Sequence, residues 1–202
     1  MYARAIPAVA ELLRQSLPPT DWHTDVLSMF DEVFADVICS IYLGASGLAK
    51  PAQMSLRRTV EVGLASVYLW DLPHLFWAWK EHDKDLNMNE MLDHLGSPGY
   101  LSFVRSQNPN YRGDSLLDMS LARSVYRELS NIVHGKISTF ESTLSDRFEH
   151  RPDDWRSHLN RVFEVEGLLI HLWQNRFLCV AEGLPNTFPQ IRMQEKEYER
   201  QD

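Results

Sequence analysis

The chain has 202 residues, of which 44% are hydrophobic and 24% charged, and its formal charge is −8 at pH 7. That length holds one substantial core, so the expectation is a single domain over residues 1–193 followed by a charged tail over 194–202. The acidic balance excludes a protein whose whole surface tracks nucleic acid, because phosphate neutralisation by Lys and Arg supplies most non-specific affinity. Any RNA contact must be local.

Cys39 and Cys179 lie in apolar runs, lack metal-type spacing, and read as core thiols. The first residues offer only a short apolar stretch, broken by Pro7 and followed by Glu11 and Arg14, so they lack a signal-peptide core. No run approaches the roughly 20 apolar residues of a membrane span; the nearest, over 60–72, contains Glu61 and Asp71. A cytoplasmic protein without membrane contact is the expectation.

Gly and Pro number 9 and 10, apolar residues recur at helical spacing, and no stretch alternates with period two. The predicted fold class is all-α. Helices are predicted over 2–16, ended by Pro18-Pro19, and over 21–43, closed by Gly44 and Gly47. The next, over 51–70, has apolar residues on two stripes, which makes it central. Shorter helices over 74–82, 89–95 and 100–106 lead to a loop over 106–113. Asp114 is placed to cap a helix running to His134, with Gly135 at its C-terminal cap. A helix over 139–150 and a long one over 153–182 complete the domain.

The helix that ends at His134 carries the chemistry. At about 100° per residue, Leu121, Val125, Leu129, Ile132 and Val133 form a core-facing stripe, while Arg123, Arg127, Asn131 and His134 gather opposite. Arg127 and His134 fall within about 20° of each other and about 10 Å apart along the axis. Arg presents a fixed fork of donors to a phosphate, and His exchanges a proton near neutral pH, so the pair suits phosphodiester cleavage. The ordinary alternative is a surface ion pair for Arg127 and a cation at the helix end for His134. A polar stripe opposite the core faces either water or a second copy across a twofold axis.

The segment Tyr126-Arg127-Glu128-Leu129-Ser130-Asn131-Ile132-Val133-His134-Gly135 resembles the signature helix of the HEPN superfamily, in which an Arg, four to six residues and a His mark metal-independent ribonucleases. Six residues intervene here. Leu56-Arg57-Arg58-Thr59-Val60-Glu61-Val62 is similar to the Arg- and Glu-bearing helix of HEPN-like bacterial defence proteins, so the resemblance covers about residues 50–175. It implies a helical bundle whose homodimer assembles two Arg and His sets into one ribonuclease site, in a toxin-antitoxin or antiphage system with an antitoxin or other partner protein. The implied catalytic residues are Arg127 and His134, with Asn131, Glu61 and Arg58 in support. Many active members carry Asn, Asp or His after the Arg, where this chain has Glu128. The superfamily also contains members that bind a partner or nucleotide without cutting, and such an adaptor is the alternative.

Elsewhere, Glu61 follows Arg57 by four residues, so an intrahelical ion pair is its ordinary role, and orientation of Arg127 or His134 its functional one. Surface pairing is expected of Arg58. The aromatic segment 70–79 reads as core packing. His74, His82 and His94 show no ligand motif, Ser130 lies outside any nucleophile elbow, and no Gly-rich phosphate loop occurs. No metal or cofactor is expected.

Overall fold

The computed structural model describes residues 3–16, 20–108, 111–134 and 151–191. Among these the chain is all-α: α1 (Ala5–Ser16), α2 (Asp21–Ala45), α3 (Ala49–Asp71), α4 (Pro73–Glu81), α5 (Met88–Leu95), α6 (Pro98–Gln107), α7 (Met119–Val133), α8 (Pro152–Arg176) and α9 (Leu178–Thr187). No helix among the described residues is long and apolar enough to cross a membrane.

Side-chain contacts fix the directions of the long helices. Ser40 with the Ala52 carbonyl, Asp36 with Arg58, and Trp22 with the Trp70 carbonyl make α2 and α3 antiparallel. Trp173 with Ser66 and Arg176 with Asp71 make α8 parallel to α3, and Asn175 with the Leu116 carbonyl and Arg161 with Glu128 make α7 run against α8. Helix α3 is central, packing on α2, α7 and α8 as its two apolar stripes require. Gly63 lets α8 approach it: a methyl there would come within 2.5 Å of Leu169 Cδ1. One apolar cluster draws buried residues from all nine of these helices. The α2–α3 turn depends on Gly47, whose φ of 76° is the left-handed conformation that glycine tolerates.

Several expectations need correction. Asp118, not Asp114, caps α7, its side chain accepting from the Leu121 amide at 2.8 Å; Ser115 to Leu117 are instead committed to a loop that buries Leu116 and Leu117. The helix over 153–182 is broken: Phe177 is extended (φ −114°, ψ 111°), which separates α8 from α9. Tertiary contacts cause the break, since Arg176 is held by Asp71 and the Phe177 ring packs edge-on against Trp70. Cys39 is exposed, because the buried apolar residues of α2 lie on the other side of that helix, and Cys179 is half-buried. In the aromatic segment Trp70 and Phe76 are buried but Trp77 and Trp79 are each 38% exposed, so only part of it is core. The buried face of α7 is Ala122, Val125 and Leu129, with Leu121, Ile132 and Val133 half-buried at its margins. Gly135, the 139–150 helix and the 194–202 tail lie outside the described residues.

A buried histidine ties α2, α3 and α8 together. The Ser40 hydroxyl donates to the Ala52 carbonyl at 2.8 Å, so His158 Nε2, 3.1 Å from the Ser40 carbonyl and 3.2 Å from its hydroxyl, is the protonated nitrogen. Its Nδ1 is buried with no hydrogen-bond partner among the described residues. Desolvation pushes the His158 pKa below the ordinary 6.5, outweighing the bond to Ser40 that favours the cation. A depressed folded-state value means that the unfolded chain binds the proton more readily. The stability from the neutral ring is therefore complete above about 6.5 and is lost as pH falls from there through the folded value. His23 and His94, also pushed down chiefly by burial, add the same sign. The urea midpoint is expected to fall between pH 7.5 and 5, and His158→Gln to fall less; an equal fall in both proteins would contradict this assignment.

Candidate functional site

The antiparallel arrangement brings the last turns of α2 and α7 to the same end of the bundle as the first turns of α3 and α8. That end carries His134, while Arg127, two turns earlier, lies beside Tyr126 and is level with Glu61 at the middle of α3. Arg127 and His134 are both exposed, and the side chain of neither has a hydrogen bond or ion pair among the described residues. His134 forms the C-terminal cap, its backbone amide bonding the Ser130 carbonyl at 3.0 Å, and its φ of −76° and ψ of 1° nearly continue the helix. The helical spacing of the two side chains, about 10 Å along the axis on one face, therefore carries over. Asn131 is half-buried beside them. The hydroxyl of Ser130 is buried and has no hydrogen-bond partner among the described residues, so none of them serves it as the base that a nucleophile needs.

Glu128 faces away from this pair. Its carboxylate is bound by Arg161 of α8 and accepts from Ser124 at 3.2 Å, so it does not neutralise Arg127. Arg123 is drawn off toward α5, bonding Asp93 at 2.7 Å and Asn89 at 3.2 Å. Of the four polar residues grouped on this face, Arg127, Asn131 and His134 thus keep side chains without a partner among the described residues.

The supporting residues of α3 are placed differently. Glu61 Oε1 accepts from Arg57 Nη2 and from the Tyr126 hydroxyl, each at 2.8 Å, and Arg57 Nη2 lies 2.9 Å from that hydroxyl. The guanidinium also sits over the Tyr126 ring at 5.1 Å. Burial disfavours the Arg57 charge, but Tyr126 and Glu61 outweigh it and hold its pKa above the ordinary value. The triad pins α7 to α3 one residue before Arg127, so Glu61 acts on the candidate site through the backbone of α7. It makes no hydrogen bond to Arg127 or His134 among the described residues. Arg58 is on the α2 side of α3, bonded to Glu32 and Asp36 at 2.6 Å each, and the structure does not bring it to the α7 face.

Sequence reasoning missed a second polar cluster at the opposite end of α3. The Asp71 carboxylate receives Arg176 Nε at 2.6 Å, the Arg176 Nη2 group, and the Tyr100 hydroxyl at 2.6 Å. The guanidinium is covered by the rings of Phe103 and Phe177. Burial, then the Asp71 charge, pushes the Tyr100 pKa far up, so its hydroxyl stays a donor. His94 lies against the Tyr68 and Tyr100 rings, whereas His74 and His82 are exposed. No three His, Cys, Asp or Glu side chains gather as a metal site among the described residues. Every polar atom that meets Asp71 here is internal to the fold, and the cluster is a lock joining α3, α6 and α8.

Fold and site together define an all-α protein with an arginine and a histidine, unpaired among the described residues, on one exposed helix face. No family model matches the chain, and no curated protein or solved structure matches it.

Proposed function

We propose that the chain is a HEPN-like ribonuclease of a bacterial toxin-antitoxin or phage-defence system, with Arg127 and His134 as its catalytic residues. The observation that carries this reading is the state of the α7 face: both groups are exposed and unpaired among the described residues, and Glu128 is turned onto Arg161. A guanidinium without an internal carboxylate is available to a phosphate.

In this mechanism His134 removes the proton from an RNA 2′-hydroxyl, and the freed oxygen attacks the adjacent phosphorus. Arg127 holds the non-bridging oxygens as negative charge grows on the phosphorane-like transition state. The P–O5′ bond breaks, a proton passes to the leaving oxygen, and the products are a 2′,3′-cyclic phosphate and a 5′-hydroxyl. Asn131 positions the phosphate. A second copy across a twofold axis supplies the His to deliver the second proton, which relieves the stretch of about 10 Å between Arg127 and His134 of one helix.

Acid-base and charge-stabilising roles need no ion, so cleavage of single-stranded RNA by the purified protein is expected to persist in excess chelator. Loss of cleavage with chelator, restored by a divalent metal, would contradict the assignment. One observation favours the rival reading of an adaptor that binds a partner protein through the same face. No carboxylate or carbonyl orients the His134 imidazole among the described residues, whereas general bases are usually held by a third group. A folded protein that binds RNA or a partner protein through α7 without cutting would establish the adaptor.

A further inference from the structure

The outer face of α2 carries an apolar stripe that the α7 chemistry leaves unused. Ala35, Ile38, Tyr42 and Ala45 follow one another at spacings of three, four and three residues, the seam spacing of a coiled coil, and all four lie on the outer side of the helix. Ile38 is 40% and Tyr42 71% exposed. The stripe is bounded by opposite charges. Exposed Asp31 lies one turn before Ala35, with Arg14 at a loose 3.6 Å, and exposed Lys50 stands just past the α2–α3 turn.

We infer that this face docks on the same face of a second copy, α2 against α2 in antiparallel register about a twofold axis level with Ser40. Three features of the stripe favour a second copy over an unrelated partner. It is self-complementary in size, since that register sets Ile38 against the partner's Tyr42 and Ala35 against the partner's Ala45, each twice. It is self-complementary in charge, since the Asp31 end of one helix meets the Lys50 end of the other. The antiparallel pairing also sets each helix's negative C-terminal end beside the partner's N-terminal half. The α2 contact is independent of the ribonuclease reading, because Arg127, Asn131 and His134 lie on α7, which packs on α3. A chain with both isologous faces assembles beyond a dimer.

Cys39, exposed next to Ile38, reports on this contact directly. In a Cys179→Ala background, which leaves one thiol, a short bis-maleimide is expected to link two copies in high yield through Cys39. Light scattering over a dilution series is expected to show association weakened at least tenfold by Ile38→Asp or Tyr42→Asp, each on an exposed position and each with unchanged helix content. Lys50→Glu should weaken it and Asp31→Lys with Lys50→Glu should restore it. His134→Ala leaves the Cys39 cross-link unchanged, so loss of the ribonuclease reading and loss of this contact are told apart. Absence of the cross-link, or association of Ile38→Asp and Tyr42→Asp equal to that of the parent, would overturn the proposal.

Discussion

Asp71→Asn is expected to lower the unfolding free energy by about 3–5 kcal/mol, the cost of leaving one partner of a buried ion pair uncompensated. Exposure decides which rule applies: the Asp71 and Arg176 side chains are 6% and 10% exposed, so the small values typical of surface pairs do not hold here. The asparagine keeps one acceptor for Tyr100 but forfeits the two-point grip on Arg176, whose charge then stays under Phe103 and Phe177. For a chain of this size the melting temperature should drop by roughly 6–20 °C. Replacing both partners, Asp71→Leu with Arg176→Met, should recover much of the loss, because no charge remains to be buried. A thermal melt of the three proteins checks this. A single-variant loss below about 1 kcal/mol would mean that water reaches the pair.

The second large effect concerns rate. His134→Ala and Arg127→Ala are each expected to reduce RNA cleavage by about 10²-fold or more, with helix content unchanged, since both side chains are exposed and unpaired among the described residues. Arg127→Lys separates charge from geometry. Activity near that of the alanine variant would assign the role to the planar fork, and activity well above it would assign the role to charge alone. Toxicity in the host should follow the same order.

How much of the fold and site was legible in the sequence varies with the range of the interactions. Helix positions, and the central place of α3, follow from apolar spacing, because a 3.6-residue period is a local signal. The break at Phe177 was not legible, since neither Gly nor Pro marks it and its cause is Asp71, 105 residues away from Arg176. The same separation hid the Asp71 lock. Cys39 illustrates a weaker inference: an apolar run such as Asp36-Val37-Ile38-Cys39 does not say which of its residues face inward. The phase of α2 does, with Val37 buried and Ile38 and Cys39 outside. At the candidate site the spacing of Arg127 and His134 placed them on a common face, but the diversion of Glu128 to Arg161 and of Arg58 to Asp36 depended on neighbouring helices.

The 2′-hydroxyl is the reacting group in the proposed mechanism, so the most direct measurement is product analysis on matched RNA and DNA strands with the parent protein and His134→Ala. The expected result is RNA fragments ending in 2′,3′-cyclic phosphate and 5′-hydroxyl, an uncut DNA strand, and no fragments above background from the variant. Equal fragments from a folded His134→Ala, or cleavage of the DNA strand, would contradict the mechanism.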